Sequence, residues 1–349
     1  MYERFYGLRE LPFDLAPNPR FLLLTDGHRE ALGNLEFGIN RRTGVTVLVG
    51  EAGTGKTTLV RTAMARVDAS SNGNPITWAY LRNPTLSQSD FIRFLAACFG
   101  LPVDGEVSKT ALIDHLERML AGGQRAALIV DEAQSVPLHL LEEIRLLANI
   151  ESDTEKLLPL LLVGQPELAN RLNEPALRQL KQRVSLRCTL VPLTFPESAA
   201  YIAGRIEIAG GDPGALFSHE AVMAIHEASG GIPRTISVIC ANALLTGYAG
   251  EQRRIHRTII EAVCRDFDLA LSPAVAADDQ FQVRDIQDKA GSTIDAVGGD
   301  VDLSLNPAVA ATDEGEDRQD IEDNTGPTQD APPTITKRRR GWFRGRRLP

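Results

Sequence analysis

The chain has 349 residues, 43% of them apolar and 24% charged, with a formal net charge of −9. That apolar share supports a sizeable core and excludes a wholly disordered chain, and the length suits two domains plus a further segment. The most apolar run, around Leu157–Val163, is far shorter than the about 20 residues of a bilayer span, and the opening MYERFYGLRE has no apolar leader core, so a cytoplasmic location is expected.

Up to Pro192, apolar runs alternate with amphipathic stretches, the pattern of helices layered on a parallel sheet. The first strand is predicted over Val45–Gly50. It runs into Gly50-Glu51-Ala52-Gly53-Thr54-Gly55-Lys56-Thr57, which has the spacing GxxxxGK[ST] and is followed by Thr58 and a helix-forming run. Glycines let such a loop curl until successive backbone N–H groups face phosphates, and the following helix adds its positive N-terminal end. Gly50 through Thr58 are therefore the expected nucleotide-binding set. Lys56 is expected to reach the β- and γ-phosphates, and the Thr57 hydroxyl to ligate Mg²⁺.

A second strand is predicted over Ile76–Leu81 and a third over Ala126–Asp131, an apolar run ending in the carboxylates Asp131 and Glu132. Behind a phosphate loop, Asp131 fits the Mg²⁺ shell. Glu132 then fits a general base that polarises the attacking water, or it serves binding without turnover. A helix is predicted over Leu138–Ile150, with Pro137 suited to its first turn. The strand at Leu157–Val163 leads to Gly164 and Gln165. Gln165 either holds the lytic water, as a first sensor, or is a turn residue before Pro166.

The run Leu177–Arg183 ends a helix ahead of a strand at Ser185–Leu190. Arg183 is either an arginine finger acting on a neighbouring subunit's nucleotide or an ordinary cation at a helix C-terminus. From Pro196 to Leu269 four helical segments are predicted. Within them Gly230-Gly231-Ile232-Pro233-Arg234 opens a helix, and Arg234 is either a second sensor of the nucleotide or a surface charge.

The four cysteines, Cys98, Cys188, Cys240 and Cys264, have neither CxxC spacing nor a histidine cluster, so reduced buried thiols are expected. After Leu271 the composition turns to Ala, Gly, Pro, Asp and Thr. Residues 271–336 carry three bases against fifteen acids, and residues 337–349 carry seven bases and no acid. The first stretch reads as a disordered acidic tether. The second, with Trp342 and Phe343 among its bases, reads as a solvated tail, an anchor on an anionic membrane or a grip on nucleic acid.

The order of phosphate loop, Asp-Glu strand end, GQPEL (Gly164–Leu168), LKQR (Leu180–Arg183) and GIPR (Gly231–Arg234) resembles AAA+ ATPases. The opening is more specific. Phe5-Tyr6-Gly7-Leu8, Pro12-Phe13, Pro17-Asn18-Pro19-Arg20-Phe21 and His28-Arg29-Glu30-Ala31-Leu32 resemble the ExeA/GspA-like ATPases of the general secretion pathway and their exosortase-linked exopolysaccharide relatives. The likeness covers about residues 1–268. It implies an α/β P-loop three-layer sandwich with a parallel sheet, then a small all-α lid and a disordered tail, with an N-terminal segment that frames the adenine side. The expected divisions are 1–192, 193–270, 271–336 and 337–349. In secretion members a membrane-spanning helix and a periplasmic peptidoglycan-binding domain follow, where this sequence has the acidic stretch and the basic tip.

The expected activity is Mg²⁺-dependent hydrolysis of ATP, powering or regulating envelope secretion or polysaccharide export from a homo-oligomer. Two other readings stay open. One is a DNA-binding targeting ATPase, although residues 1–270 are net acidic and no helix-turn-helix segment follows the helices. The other is a nucleotide switch that does not hydrolyse.

Overall fold

The computed structural model describes residues 1–14, 19–21, 23–82, 84–103, 105, 107–152 and 155–271, with the backbone of 295–296. All belong to one compact unit, Met1–Val309. The basic tip at 337–349 lies outside the described residues, as does the acidic stretch apart from Leu271 and 295–296; so do Pro17 and Asn18 of the opening motif.

The chain begins with α1 (Tyr2–Tyr6) and a two-residue strand β1 (Leu23–Leu24), which pairs antiparallel with β7 (Asp295–Ala296). Helix α2 (Asp26–Asn40) starts at Thr25, whose hydroxyl accepts the His28 N–H as an N-cap. The main sheet then forms from β2 (Val45–Gly50), β3 (Ile76–Leu81), β4 (Arg125–Val130), β5 (Leu160–Gly164) and β6 (Val184–Leu190). All five strands run parallel in the order β3-β4-β5-β2-β6. Parallel strands need long crossovers, and helices supply them on both faces.

Alternation along β2 sends Val45, Val47 and Val49 to one face and Leu48 to the other. The first face packs on α4 (Gln88–Cys98), α5 (Lys109–Ala121), α6 (Leu138–Leu147), α7 (Pro166–Arg171) and α8 (Arg178–Lys181), through Phe91, Leu95, Leu116, Leu140, Ile144 and Leu168. The second packs on α2 and α3 (Lys56–Ala69), through Leu35, Leu59, Val60 and Ala63. This is the three-layer α/β arrangement expected from the sequence. Internal strands are buried on both faces, whereas the edge strand β6 exposes Ser185, Arg187 and Thr189 and buries Cys188 and Leu190.

A third core follows the sheet. Helices α9 (Phe195–Ile208), α10 (Pro213–Leu216), α11 (His219–Ser229), α12 (Pro233–Ala249) and α13 (Arg257–Asp266) pack around Ile206, Phe217, Ile225, Ile239 and Ile260. The four long helices match the four predicted segments, and α10 is a single additional turn. The N-terminal side chains Tyr2, Tyr6, Leu8, Phe13 and Phe21 join this helical core, not the sheet. The rings of Phe13 and Phe217 meet edge to face at 6.2 Å, and the Tyr6 hydroxyl donates to the carbonyls of Leu244 and Gln252. Among the described residues no helix is long and apolar enough to cross a membrane.

Candidate nucleotide site

The loop after β2 lies at the carboxyl end of the sheet, where open parallel sheets collect ligands. Gly53 (φ 85°) and Gly55 (φ 96°) take left-handed backbone conformations, which turn the chain back into the first turn of α3. Gly50 is glycine for a different reason: a Cβ there would stand 2.9 Å from the Leu190 carbonyl oxygen and from the Thr54 hydroxyl. Thr54 is buried, and its hydroxyl donates to the Glu51 carbonyl at 2.8 Å, so the loop closes on itself.

Lys56 is only 6% exposed, and its ammonium donates to the carbonyls of Gly50 (2.8 Å) and Glu51 (2.9 Å). Burial lowers its pKa, opposed by the carboxylates of Glu132, Asp131, Glu51 and Glu167. A buried charge needs partners, and these two loop carbonyls supply them.

Asp131 follows the last residue of β4 and is 5% exposed. Its Oδ2 accepts from the Thr57 hydroxyl at 2.9 Å and from the Tyr80 hydroxyl at 2.8 Å, while Oδ1 accepts from the Glu132 N–H at 3.0 Å. Three donors offset the burial of one carboxylate. The phenol of Tyr80 is in turn pushed above its ordinary range by burial and by Asp131.

Glu132 has a left-handed backbone (φ 50°, ψ 38°), a conformation that costs a residue with a side chain about 1–3 kcal/mol. The sharp exit it makes from β4 leads into one turn of 3₁₀ helix, Ala133–Ser135. Gln165 occupies the N-cap position of α7, yet its side chain makes no cap; the amide donates to Glu132 Oε2 at 3.4 Å.

On the other side, Arg234 is the second residue of α12. Its main-chain N–H donates to the Gly53 carbonyl at 3.2 Å. Gly231 (φ 76°) accepts the Leu193 N–H at its carbonyl, and a Cβ on it would run into the Leu193 backbone. Together these contacts border a cavity of about 410 Å³, lined by Gly53 to Thr58, Glu132, Arg234, His28, Tyr201 and Arg205 among others.

Of the residues singled out from the sequence, Lys56, Thr57, Thr58, Glu132 and Arg234 line this cavity. Asp131 and Gln165 stand directly behind it, hydrogen-bonded to Thr57 and Glu132. Arg183 does not come near. It precedes β6, its carbonyl accepts the Val45 N–H, and its guanidinium donates to the Ala148 carbonyl at 3.4 Å, so it sits at the amino end of the sheet.

Sequence reasoning missed four members. Tyr80 was hidden as an ordinary strand aromatic. Gln134 lies two residues beyond the carboxylate pair, a separation that signals nothing by itself. Tyr201 and Arg205 lie in the apolar run of α9, where a lone arginine was the available signal. His28 was part of the opening motif; its Nδ1 meets the Thr25 hydroxyl at 2.7 Å and its Nε2 meets the Thr54 carbonyl at 3.2 Å.

A phosphate-type loop, a parallel sheet in this strand order and a trailing helical bundle define an AAA+ P-loop protein, and residues 39–172 match the family model described as an AAA domain. More particularly, the chain is 40% identical over 265 residues to General secretion pathway protein A of Aeromonas hydrophila, an alignment that takes in 74% of this chain and 47% of that protein. The resemblance to the ExeA/GspA-like family read from the opening motifs is thus borne out, and the chain spans about half the length of this curated relative. The fold also superposes on the ORC2 protein of Aeropyrum pernix, solved as ADPNP–ADP complexes. Its TM-score is 0.57 at 19% identity, covering 76% of this chain and 74% of that one. For Cdc6p of Pyrobaculum aerophilum the TM-score is 0.57 at 16% identity, with 73% and 70% covered. At these identities the likeness is one of fold.

Proposed function

We propose that this chain is a Mg²⁺-dependent ATP hydrolase. The observation that carries the reading is the convergence of the Lys56 ammonium, the Thr57–Asp131 hydroxyl–carboxylate pair and the Glu132 carboxylate on one cavity.

The residues present fit a nucleotide and its cation. The left-handed turns at Gly53 and Gly55 curl the loop, a Cβ on Gly55 would meet nothing nearer than His28 Nε2 at 3.8 Å, and the donors of the loop and of the N-terminal turn of α3 suit phosphate oxygens. Lys56 is the residue to face the β- and γ-phosphates. The Thr57 hydroxyl and Asp131 form the hard-oxygen set that Mg²⁺ prefers. Bound Mg²⁺ supplies charge neutralisation on the phosphate oxygens. Glu132 accepts the proton of the attacking water, and the Gln165 amide steadies that carboxylate. Arg234, at the start of α12, ties the helical bundle to the state of the loop. Arg183 serves the site of a neighbouring copy in a homo-oligomer.

The 40% identity to General secretion pathway protein A supports work on secretion machinery, with polysaccharide export as the other system suggested by the opening motifs. The seven bases of 337–349 support peripheral docking on an anionic leaflet from the cytoplasmic side.

The test is multiple-turnover phosphate release with Mg²⁺ and with a chelator, in the wild type, Lys56→Ala and Glu132→Gln. Lys56→Ala should lose binding of a fluorescent ATP analogue. Glu132→Gln should bind it normally and turn over roughly 10²–10⁴-fold more slowly. A wild type that binds the analogue and releases no phosphate would leave a switch, not a hydrolase.

A further inference from the structure

Glu132 is gripped by a residue that the reaction above does not use. Gln134 Nε2 donates to Glu132 Oε2 at 2.5 Å, and Gln134 Oε1 accepts the Gln165 main-chain N–H at 3.0 Å. The Gln134 side chain thus spans from the carboxylate at the end of β4 to the first residue beyond β5. Its own backbone is pinned as well: Arg171 on α7 donates through one guanidinium nitrogen to the carbonyls of Gln134 (2.5 Å) and Val136 (2.8 Å). The neighbouring strand end makes room for it, because a Cβ on Gly164 would stand 2.7 Å from Gln134 Oε1.

The two amides that reach Glu132, from Gln134 and Gln165, both end on Oε2. Among the described residues no donor contacts Oε1, the oxygen left for a proton. A flexible carboxylate on a left-handed backbone has several rotamers. One short bond to a pinned amide selects among them.

We propose that Gln134 is a positioning residue for the hydrolysis, fixing the Glu132 carboxylate so that Oε1 meets the attacking water. The inference rests on the reading of Glu132 as the base. Gln134 is not among the residues that line the cavity; it acts through Glu132. Misplacing a base by about 1 Å costs on the order of 10²-fold in rate, so the effect belongs in kcat and not in nucleotide affinity.

The full chain is used, with Gln134→Leu, Gln134→Glu and each of these combined with Glu132→Gln. Gln134→Leu removes both amide bonds at similar size. Gln134→Glu keeps an acceptor for the Gln165 N–H and loses the donor to Glu132. Both should lower kcat roughly 10–100-fold while KM and the affinity for the fluorescent ATP analogue stay within about threefold. Neither should slow Glu132→Gln any further. A Gln134→Glu enzyme as fast as the wild type would reduce Gln134 to a tie between strand ends. Loss of affinity in step with kcat, or a double variant slower than Glu132→Gln alone, would equally overturn the proposal. Wild-type turnover is measured first. Its absence overturns the hydrolase reading and this inference together, whereas the other adverse outcomes overturn the inference alone.

Discussion

Arg234 and Gly53 are joined through their backbones: the N–H at the start of α12 donates to the loop carbonyl at 3.2 Å. The same approach brings the Arg234 Cβ to 2.8 Å, and the Ile232 Cγ2 to 2.9 Å, from where a side chain on Gly53 would begin. The helical bundle therefore rests on the phosphate loop itself, at the one loop residue that has both a left-handed φ and no lateral space.

Gly53→Ala should exploit this. The substitution must either push α12 away or distort the loop, and the left-handed backbone adds about 1–2 kcal/mol for a residue with a Cβ. The expected outcome is an affinity for the ATP analogue reduced at least tenfold, with a lower denaturant midpoint. Titration by fluorescence and a urea melt check both. Wild-type affinity would show that the α12–loop contact is dispensable.

His28 sets a pH dependence. A carbonyl can only accept, so Nε2 carries the hydrogen toward Thr54, and Nδ1 accepts from Thr25. Burial holds the His28 pKa below its ordinary value, with the Thr54 carbonyl opposing. The unfolded chain then binds the proton more tightly than the folded one. The stability contributed is fully present above the unfolded pKa of about 6.5 and is lost as pH falls through the lower folded value. His28→Gln removes this contribution. Its unfolding free energy should decline less between about pH 7.5 and pH 5 than that of the wild type. Burial also lowers the pKa of His226, but that residue is common to both proteins and cancels in the comparison.

Arg183 is best tested by mixing. Lying far from its own loop, it can complete only a neighbour's site. Arg183→Ala should bind nucleotide normally and hydrolyse it roughly 10³-fold more slowly, on the scale of known arginine fingers. Mixed with Glu132→Gln, it should recover part of the wild-type rate, since one interface then carries both intact halves. No recovery, in assemblies shown by mass measurement to contain both variants, removes Arg183 from the site.

The sheet was the most legible part of the sequence. β2 and β3 begin and end where their apolar runs do. The fifth strand in chain order does not: the apolar run starts at Leu157, but the strand starts at Leu160, because Pro159 has no N–H for a ladder. Leu157 instead bonds back to Ile150. The helix predicted to reach Ile150 ends at Leu147, and Pro137 stands at its N-cap position, just before the first turn, without a side-chain cap. In the site, the loop and the carboxylate pair were readable because their spacing is dictated by local backbone geometry. Gln134, Tyr80 and Arg205 were not, since each also needs a partner distant in sequence (Gln165, Asp131, and Pro12 with Asp14) that no periodicity records.

Arg205 has a consequence for how this protein can be divided. It is buried on α9, donates to the Pro12 and Asp14 carbonyls and to the Tyr201 hydroxyl, and its guanidinium lies over the rings of Phe21, Tyr201 and Phe13. One cation from the second half of the chain thereby fastens Pro12, Phe13, Asp14 and Phe21 beside the cavity. The stretch matched by the AAA family model, 39–172, contains the loop and both carboxylates, yet none of these fastenings. A fragment excised at those limits would keep Lys56, Thr57, Asp131, Glu132 and Gln165 and lose Arg183 and Arg234. It would also lose the wall formed by Phe21, His28, Tyr201 and Arg205, so that the phosphate loop would lie more open to solvent than it does in the whole chain.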